Sequence, residues 1–141
     1  MEKDERFIFL IGLARHRLFA SLDRALTDAA GVTAAQSGAL YYLLDNDGCL
    51  LGALSQALKL DKSAITGLVD RLEKKGLVQR RTTPTDRRAI NIYLTRKGRA
   101  AAEKCLHVTR EYNSAIKDGL SHEEIECFSR ILQMVISRFS Q

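Results

Sequence analysis

Residues 52–99, GALSQALKLDKSAITGLVDRLEKKGLVQRRTTPTDRRAINIYLTRKGR, decide how this chain of 141 residues is read. Ala53, Leu54, Ala57 and Leu58 recur at helical spacing. Ile65, Leu68, Val69 and Leu72 repeat at i, i+3, i+4 and i+7, so two short amphipathic helices follow one another. Lys59-Leu60-Asp61 joins them; Asp61 is a suitable N-cap for the second helix, and Leu58 and Leu60 are expected inside, locking the pair. Gly76 supplies the stop. Val78–Arg81 and Ala89–Leu94 then show the period-two alternation of a hairpin, with Ile90, Ile92 and Leu94 on one face and Asn91 and Tyr93 on the other. Pro84 and the threonines beside it are assigned to the loop, and the tip carries Asp86, Arg87 and Arg88. Two helices too short to bury themselves separately, followed by a basic ribbon, describe a winged helix-turn-helix. The expected fold class is therefore mainly α with a small β hairpin.

The flanks are helical. Residues 4–29 carry Phe7, Leu10, Ile11, Ala14, Leu18, Leu22, Ala25 and Leu26 at three- and four-residue spacing, with Gly31 as the stop. Thr33 and Gln36 form a capping-box pattern for the next helix, and Asp45-Asn46-Asp47-Gly48 is a turn. Cys49, Leu50 and Leu51 suit a short strand beside the hairpin. Thr95 opens a helix running to about Lys117; Gly119 breaks it, and Ser121 with Glu124 caps a last helix bearing Ile125, Phe128, Ile131, Leu132, Val135, Ile136 and Phe139. These apolar stripes exceed what one small core can bury. The expectation is one domain, 1–141, with a winged-helix lobe over 33–99 and a helical dimerisation region from 4–29 and 100–140.

Charge is concentrated. From Lys59 to Arg99 there are 12 Lys or Arg against 4 Asp or Glu, whereas the whole chain is only +5, so the remainder is mildly acidic. Such an asymmetry favours a phosphate-contacting face over a merely soluble surface. Cys49, Cys105 and Cys127 are too far apart for a zinc motif, and their odd number argues against a disulfide framework. The apolar run Phe7–Leu13 follows acidic residues and is interrupted by Arg15, His16 and Arg17, so it reads as neither signal peptide nor membrane span, and the expected compartment is the cytoplasm. His16, His107 and His122 are scattered and no glycine-rich phosphate loop is present, so an enzyme is not expected, nor a metal or other cofactor.

On the solvent side of the second central helix lie Lys62, Ser63, Thr66, Gly67, Asp70, Arg71 and Lys74. The small residues Ser63, Thr66 and Gly67 would let the backbone approach base edges, and Arg71 and Lys74 suit phosphate. Arg80, Arg81, Arg87 and Arg88 cluster on the ribbon, where their mutual repulsion is costly unless a polyanion offsets it. An arginine there suits the narrow minor groove of A·T-rich DNA. Asp86 reads as a structural partner orienting a neighbouring arginine. The competing reading, a winged-helix module for protein contacts or assembly, calls for a less basic and more apolar wing. RNA binding would call for exposed aromatic platforms, which the hairpin lacks.

The run LDKSAITGLVDRLEKKGLVQRRTTPTDRRAINIYLTRKG resembles the core of the MarR family of bacterial winged-helix regulators. Asp70, Arg71, Leu72, Gly76, Leu77, Val78, Arg80, Asp86-Arg87-Arg88, Leu94, Thr95 and Gly98 carry the match, which covers roughly residues 10–105. The resemblance implies a homodimer built from the first and last two helices and a recognition helix near 62–74 in the major groove. It further implies a wing held by Asp86 whose Arg88 enters the minor groove, with double-stranded DNA bearing an inverted repeat as the partner. It also implies a repressor released by a small, often phenolic, aromatic effector or by cysteine oxidation. His16, Arg17, Tyr41 and Tyr42 sit on helices expected to border such a ligand; core or interface packing is the better explanation of each. Two features depart from the family pattern: Leu51 and Gly52 give their helix no polar cap, and no cysteine precedes Cys49, unlike the peroxide-sensing branch.

Overall fold

The computed structural model describes residues 2–140. After a 3-10 turn at Lys3–Glu5 come α1 (Phe7–Ala30), α2 (Ala34–Asp45), β1 (Cys49–Leu50), α3 (Leu51–Leu58), α4 (Lys62–Lys74), β2 (Val78–Thr83), β3 (Asp86–Leu94), α5 (Arg96–Lys117) and α6 (His122–Arg138). The chain divides into two compact units, one through Thr109 and one from Arg110, so the boundary falls within α5.

Local capping explains most helix ends in the first unit. Thr33 Oγ1 accepts the Gln36 amide at 3.2 Å while Gln36 returns a bond to the Thr33 amide, as the sequence pattern anticipates. Asp61 caps α4 by accepting the Ala64 amide at 2.7 Å. At the other end of α4, Gly76 takes φ +76°, the Leu77 amide reaches back to the Leu72 carbonyl and the Gly76 amide to that of Glu73. This closed turn satisfies the last carbonyls of α4 and aims the chain into β2. The helix α3 starts one residue earlier than expected, at Leu51 with Leu50 as a cap that offers no side-chain bond, so β1 is only two residues long. Between α3 and α4, Lys59 adopts φ 54°, and Leu58 and Leu60 are half-buried rather than fully inside.

The core of this unit is assembled from Leu26, Val32, Leu40, Leu43, Leu54, Ile65, Val69, Leu72, Ile92 and Cys105. All four predicted apolar positions of α4 are buried, which fixes the opposite face of the helix outward. Strand order is β1-β3-β2, all antiparallel. Gly98 in α5 is required by close approach: a Cβ there would sit 1.8 Å from the Leu77 carbonyl oxygen. Thr95 binds the same corner, donating Oγ1–H to the Gly76 carbonyl at 2.6 Å and accepting the Gly98 amide at 2.9 Å. The base of the hairpin is thereby tied to the end of α4.

The hairpin is longer than its alternation suggests. Thr82 and Thr83 belong to β2, not to the loop, which is reduced to Pro84-Thr85, and β3 begins at Asp86 rather than Ala89. The register runs from Val78↔Leu94 to Thr82↔Ile90 and then slips to Thr83↔Asp86, leaving Arg87, Arg88 and Ala89 without partners on β2. An irregularity of this kind bends a strand and re-aims its side chains.

In α1 only the later part of the stripe is covered: Leu26 is buried, whereas Phe7, Ile8, Phe9 and Leu10 are 60%, 78%, 64% and 54% exposed. In the second unit, α6 opens with the expected Ser121–Glu124 capping box and buries none of its residues; Phe128, Ile136 and Phe139 are 48%, 65% and 77% exposed. No helix among the described residues is long and apolar enough to cross a membrane.

Candidate nucleic-acid interface

With Ile65, Leu68, Val69 and Leu72 turned inward, α4 presents Lys62, Ser63, Asp70, Arg71 and Lys74 as exposed residues, with Thr66 and Gly67 half-buried between them. Thr66 donates its hydroxyl to the Lys62 carbonyl at 2.7 Å, which commits the polar hydrogen to its own helix. The guanidinium of Arg71 lies against Gly67: its Nη1, Nη2 and Cζ would be 3.5, 3.7 and 3.9 Å from a Cβ at that glycine.

Arg80 is placed differently from the other arginines of the ribbon. Its guanidinium bonds Asp70 at 2.5 Å, Glu73 at 2.9 Å and the Thr66 carbonyl at 3.3 Å, and the Arg80 amide adds a bond to Glu73 at 3.2 Å. The sequence grouping of Arg80 with Arg81, Arg87 and Arg88 as free wing charges therefore does not describe its position. It fastens β2 to α4 and pairs with both acids of that helix. Arg81 points elsewhere, with its guanidinium 4.9 Å from the Tyr93 ring centroid.

Asp86 organises the bend in β3. Its Oδ1 accepts the Arg88 amide at 2.9 Å, giving that backbone donor the partner β2 does not provide. Across the turn, Thr83 Oγ1 donates to the Asp86 carbonyl at 2.9 Å and accepts the Asp86 amide at 3.2 Å. The Arg88 side chain is 96% exposed, and its Nε lies 3.6 Å from Asp86, too far to tie it down. Arg87 and Arg88 thus project from a stiffened bend. At the base of the sheet, the Asp47 carboxylate accepts the Leu94 amide at 2.8 Å, and Asn91 donates to the Gly48 carbonyl at 2.9 Å.

The four residues singled out for a ligand are not alike. His16 and Arg17 are exposed on α1, and Tyr42 is half-buried on α2. Tyr41 spends its hydroxyl on the Cys105 carbonyl at 2.8 Å and on Thr109, joining α2 to α5. An open groove of about 960 Å³ beside the wing contains none of them; Leu50, Leu51, Ile65, Arg88 and Ile90 are among its walls. The three cysteines are unpaired. Burial pushes the Cys105 thiol pKa up; burial followed by the nearby Asp47 charge does the same to Cys49, against a lowering backbone bond. Raised thiol pKa values disfavour the reactive thiolate. Among the described residues no group of three or more His, Cys, Asp or Glu is placed to hold a metal ion.

Sequence reasoning missed Arg80 as a clamp, Asp47 as a support of β3, and Lys75, whose Nζ donates to the Gly31 carbonyl at 2.7 Å. Asp47 and Lys75 join elements distant in the chain, Arg80 joins neighbouring ones, and none carries a local signal beyond its charge.

A helix pair with a tight junction, its second helix braced by a basic β hairpin, makes this a winged helix-turn-helix protein. A model of the MarR family matches residues 30–89. A probable transcriptional regulator from Pseudomonas aeruginosa is 31% identical, covering 96% of this chain and 100% of that one with a TM-score of 0.80. The chain belongs to the MarR family of transcriptional regulators. BpsR of Bordetella bronchiseptica, whose DNA binding is regulated by 6-hydroxynicotinic acid, is 27% identical, with 90% of this chain and 96% of that chain covered and a TM-score of 0.78. The HTH-type transcriptional repressor YetL of Bacillus subtilis (strain 168) is 36% identical over 87 residues, 62% of this chain and 52% of the relative. The chain spans about half the length of two curated relatives it matches, 50% and 52%, and 75% of a third. Members of this family are DNA-binding regulators, not enzymes.

Proposed function

We propose that the protein is a homodimeric repressor that binds an inverted-repeat operator in double-stranded DNA and leaves it in response to a small ligand or stress signal. The observation that carries this reading is the charge arrangement of α4 and the wing. Arg80 pairs with both Asp70 and Glu73, and Lys62, Arg71 and Lys74 are exposed on the same helix, whose acids are thus already engaged. In this reading Ser63, Thr66 and Gly67 meet base edges in the major groove, with Lys62, Arg71 and Lys74 beside them. Arg81, Arg87 and Arg88 follow the flanking backbone and minor groove, Asp86 holds the bend, and Arg80 is a positioning residue rather than a DNA contact.

A dimer is supported by the exposed apolar residues of α1 and of α6, which a second copy of the chain would cover. Two copies would present α4 to half-sites about one helical turn, roughly 34–36 Å, apart. Repression is supported by the similarity to YetL, and release by a small aromatic ligand by the similarity to BpsR. His16, Arg17 and Tyr42 are the polar side chains we assign to that ligand. Tyr41 takes a supporting part because its hydroxyl is already bonded.

Footprinting across the promoter of the protein's own gene tests the reading. The expected result is protection of an inverted repeat, with affinity falling steeply as salt rises. Uniform, sequence-blind coverage would sink it and leave the protein-contact module in its place. A monomer in sedimentation at low micromolar concentration would remove the dimer.

A further inference from the structure

We propose that Arg71 is the specificity-determining side chain of α4, reading one guanine per half-site through the path left open by Gly67. The assignment rests on the operator-binding reading above and deepens it. By position alone Arg71 looks like a phosphate contact, since it lies in the last turn of α4. Its side chain runs the other way. Helical side chains lean toward the N-terminus and cover the residue one turn earlier. Here all three nearest neighbours of the missing Gly67 Cβ are guanidinium atoms of Arg71, at 3.5, 3.7 and 3.9 Å. The charged group therefore sits about one turn, roughly 5.4 Å, closer to the Ser63 end of the helix than its own Cα.

Two further observations make this guanidinium available. Asp70 and Glu73, the acids closest to it in sequence, are both bonded to Arg80, and the Arg71 guanidinium itself takes part in no hydrogen bond or ion pair among the described residues. The other donors of the surface are weaker readers. Thr66 has given its hydroxyl hydrogen to the Lys62 carbonyl, Lys62 is a point charge without a fork, and Ser63 has one hydroxyl. Among these side chains the guanidinium alone offers a rigid planar fork, which matches O6 and N7 of guanine with two parallel bonds. Arg80 thus acts at a distance: by holding the acids, it keeps Arg71 from folding onto them.

The test is selection of binding sites from a library with randomised half-sites, run on the wild type, Arg71→Ala, Arg71→Lys, Gly67→Ala and Gly67→Leu, each first checked for helicity. The wild type should prefer guanine at one position per half-site, and 7-deazaguanine there, lacking N7, should weaken binding. Arg71→Ala and Arg71→Lys should lose that preference, roughly 5- to 150-fold per half-site, while keeping preferences elsewhere and ignoring 7-deazaguanine. Arg71→Lys should keep the wild-type salt dependence because its charge is unchanged. Gly67→Leu, which fills the guanidinium's path, should lose the preference with Arg71 still present; Gly67→Ala, whose Cβ makes only ordinary contact with the guanidinium, should lose less of it. A selective wild type whose Arg71 variants bind more weakly but with preferences intact would make Arg71 a phosphate contact and overturn the assignment alone. A wild type with no sequence preference would overturn it together with the operator reading.

Discussion

Removing Arg80 should destabilise the protein measurably, although the residue lies on its surface. The Arg80 side chain is 23% exposed, and its partners Asp70 and Glu73 are 51% and 42% exposed. Ion pairs with partners this wet are screened and contribute about 0.5 kcal/mol each, in the middle of the range for surface pairs. The bond to the Thr66 carbonyl adds about 1 kcal/mol. Arg80→Ala should therefore cost about 2 kcal/mol, the sum of those contributions. Urea unfolding at a fixed protein concentration, which matters if the chain dimerises, reads this as a lower midpoint at unchanged slope. Double-mutant cycles with Asp70→Asn and Glu73→Gln should each return a coupling near 0.5 kcal/mol. The reasoning extends to DNA. Because the guanidinium faces acids rather than solvent, Arg80→Ala should weaken operator binding with little change in its salt slope, whereas Arg88→Ala should lower that slope. Arg80→Ala stability within about 0.3 kcal/mol of wild type, with zero coupling to both acids, would refute the clamp.

Three other outcomes follow from single contacts. Asp86→Ala should weaken DNA binding by about 2- to 10-fold, the worth of one backbone hydrogen bond, and Asp86→Asn should recover most of it because its amide oxygen still accepts from Arg88; equal losses in gel-shift titrations would show that charge matters instead. Gly98→Ala should cost about 1–3 kcal/mol or more, since a Cβ would meet the Leu77 carbonyl, and an unchanged urea midpoint would contradict that close approach. Cys105 should react with a thiol reagent only when the protein unfolds, and Cys49 slowly. Because their folded pKa values are raised, the stability they contribute is complete below the ordinary thiol value near about 8.5 and is lost as pH climbs through the folded values. Fast native labelling of a Cys127→Ser variant at neutral pH would show these thiols to be activated.

What the sequence revealed, and what it hid, divides by range. The caps at Thr33, Asp61 and Ser121 are bonds between residues three apart, so the pattern that predicts them contains both partners. The inward face of α4 was legible for the same reason. The bend at Arg87–Ala89 was not, because the register depends on Thr82 meeting Ile90 and Thr83 meeting Asp86 across a two-residue turn. Alternation suggested a strand starting at Ala89, where the apolar residues begin; pairing breaks off before that residue and resumes at Asp86 without apolar help. The Tyr41–Cys105 bond spans 64 residues and the Lys75–Gly31 bond 44, and neither has any trace in a local window. Arg80 is the instructive case. Counted as a charge it joined the wing; placed in three dimensions, it belongs to α4.

That placement changes what a net charge means here. Between Lys59 and Arg99 the 4 acids look like dilution of a basic segment. In the fold each is committed to a particular donor. Asp61 binds the Ala64 amide, Asp70 and Glu73 hold Arg80, and Asp86 accepts the Arg88 amide. Every one of those bonds draws carboxylate charge toward a donor within the protein. The bonds also shape the surface that remains, starting α4, bracing it against β2, and bending β3. One arginine is consumed in the process, and Lys62, Arg71, Lys74, Arg87 and Arg88 are left exposed. A polyanion approaching this face meets cations whose geometry has been set by acids it does not touch. Substituting any of the four acids should therefore change binding less through added positive charge than through lost shape, which is the opposite of what a charge count predicts.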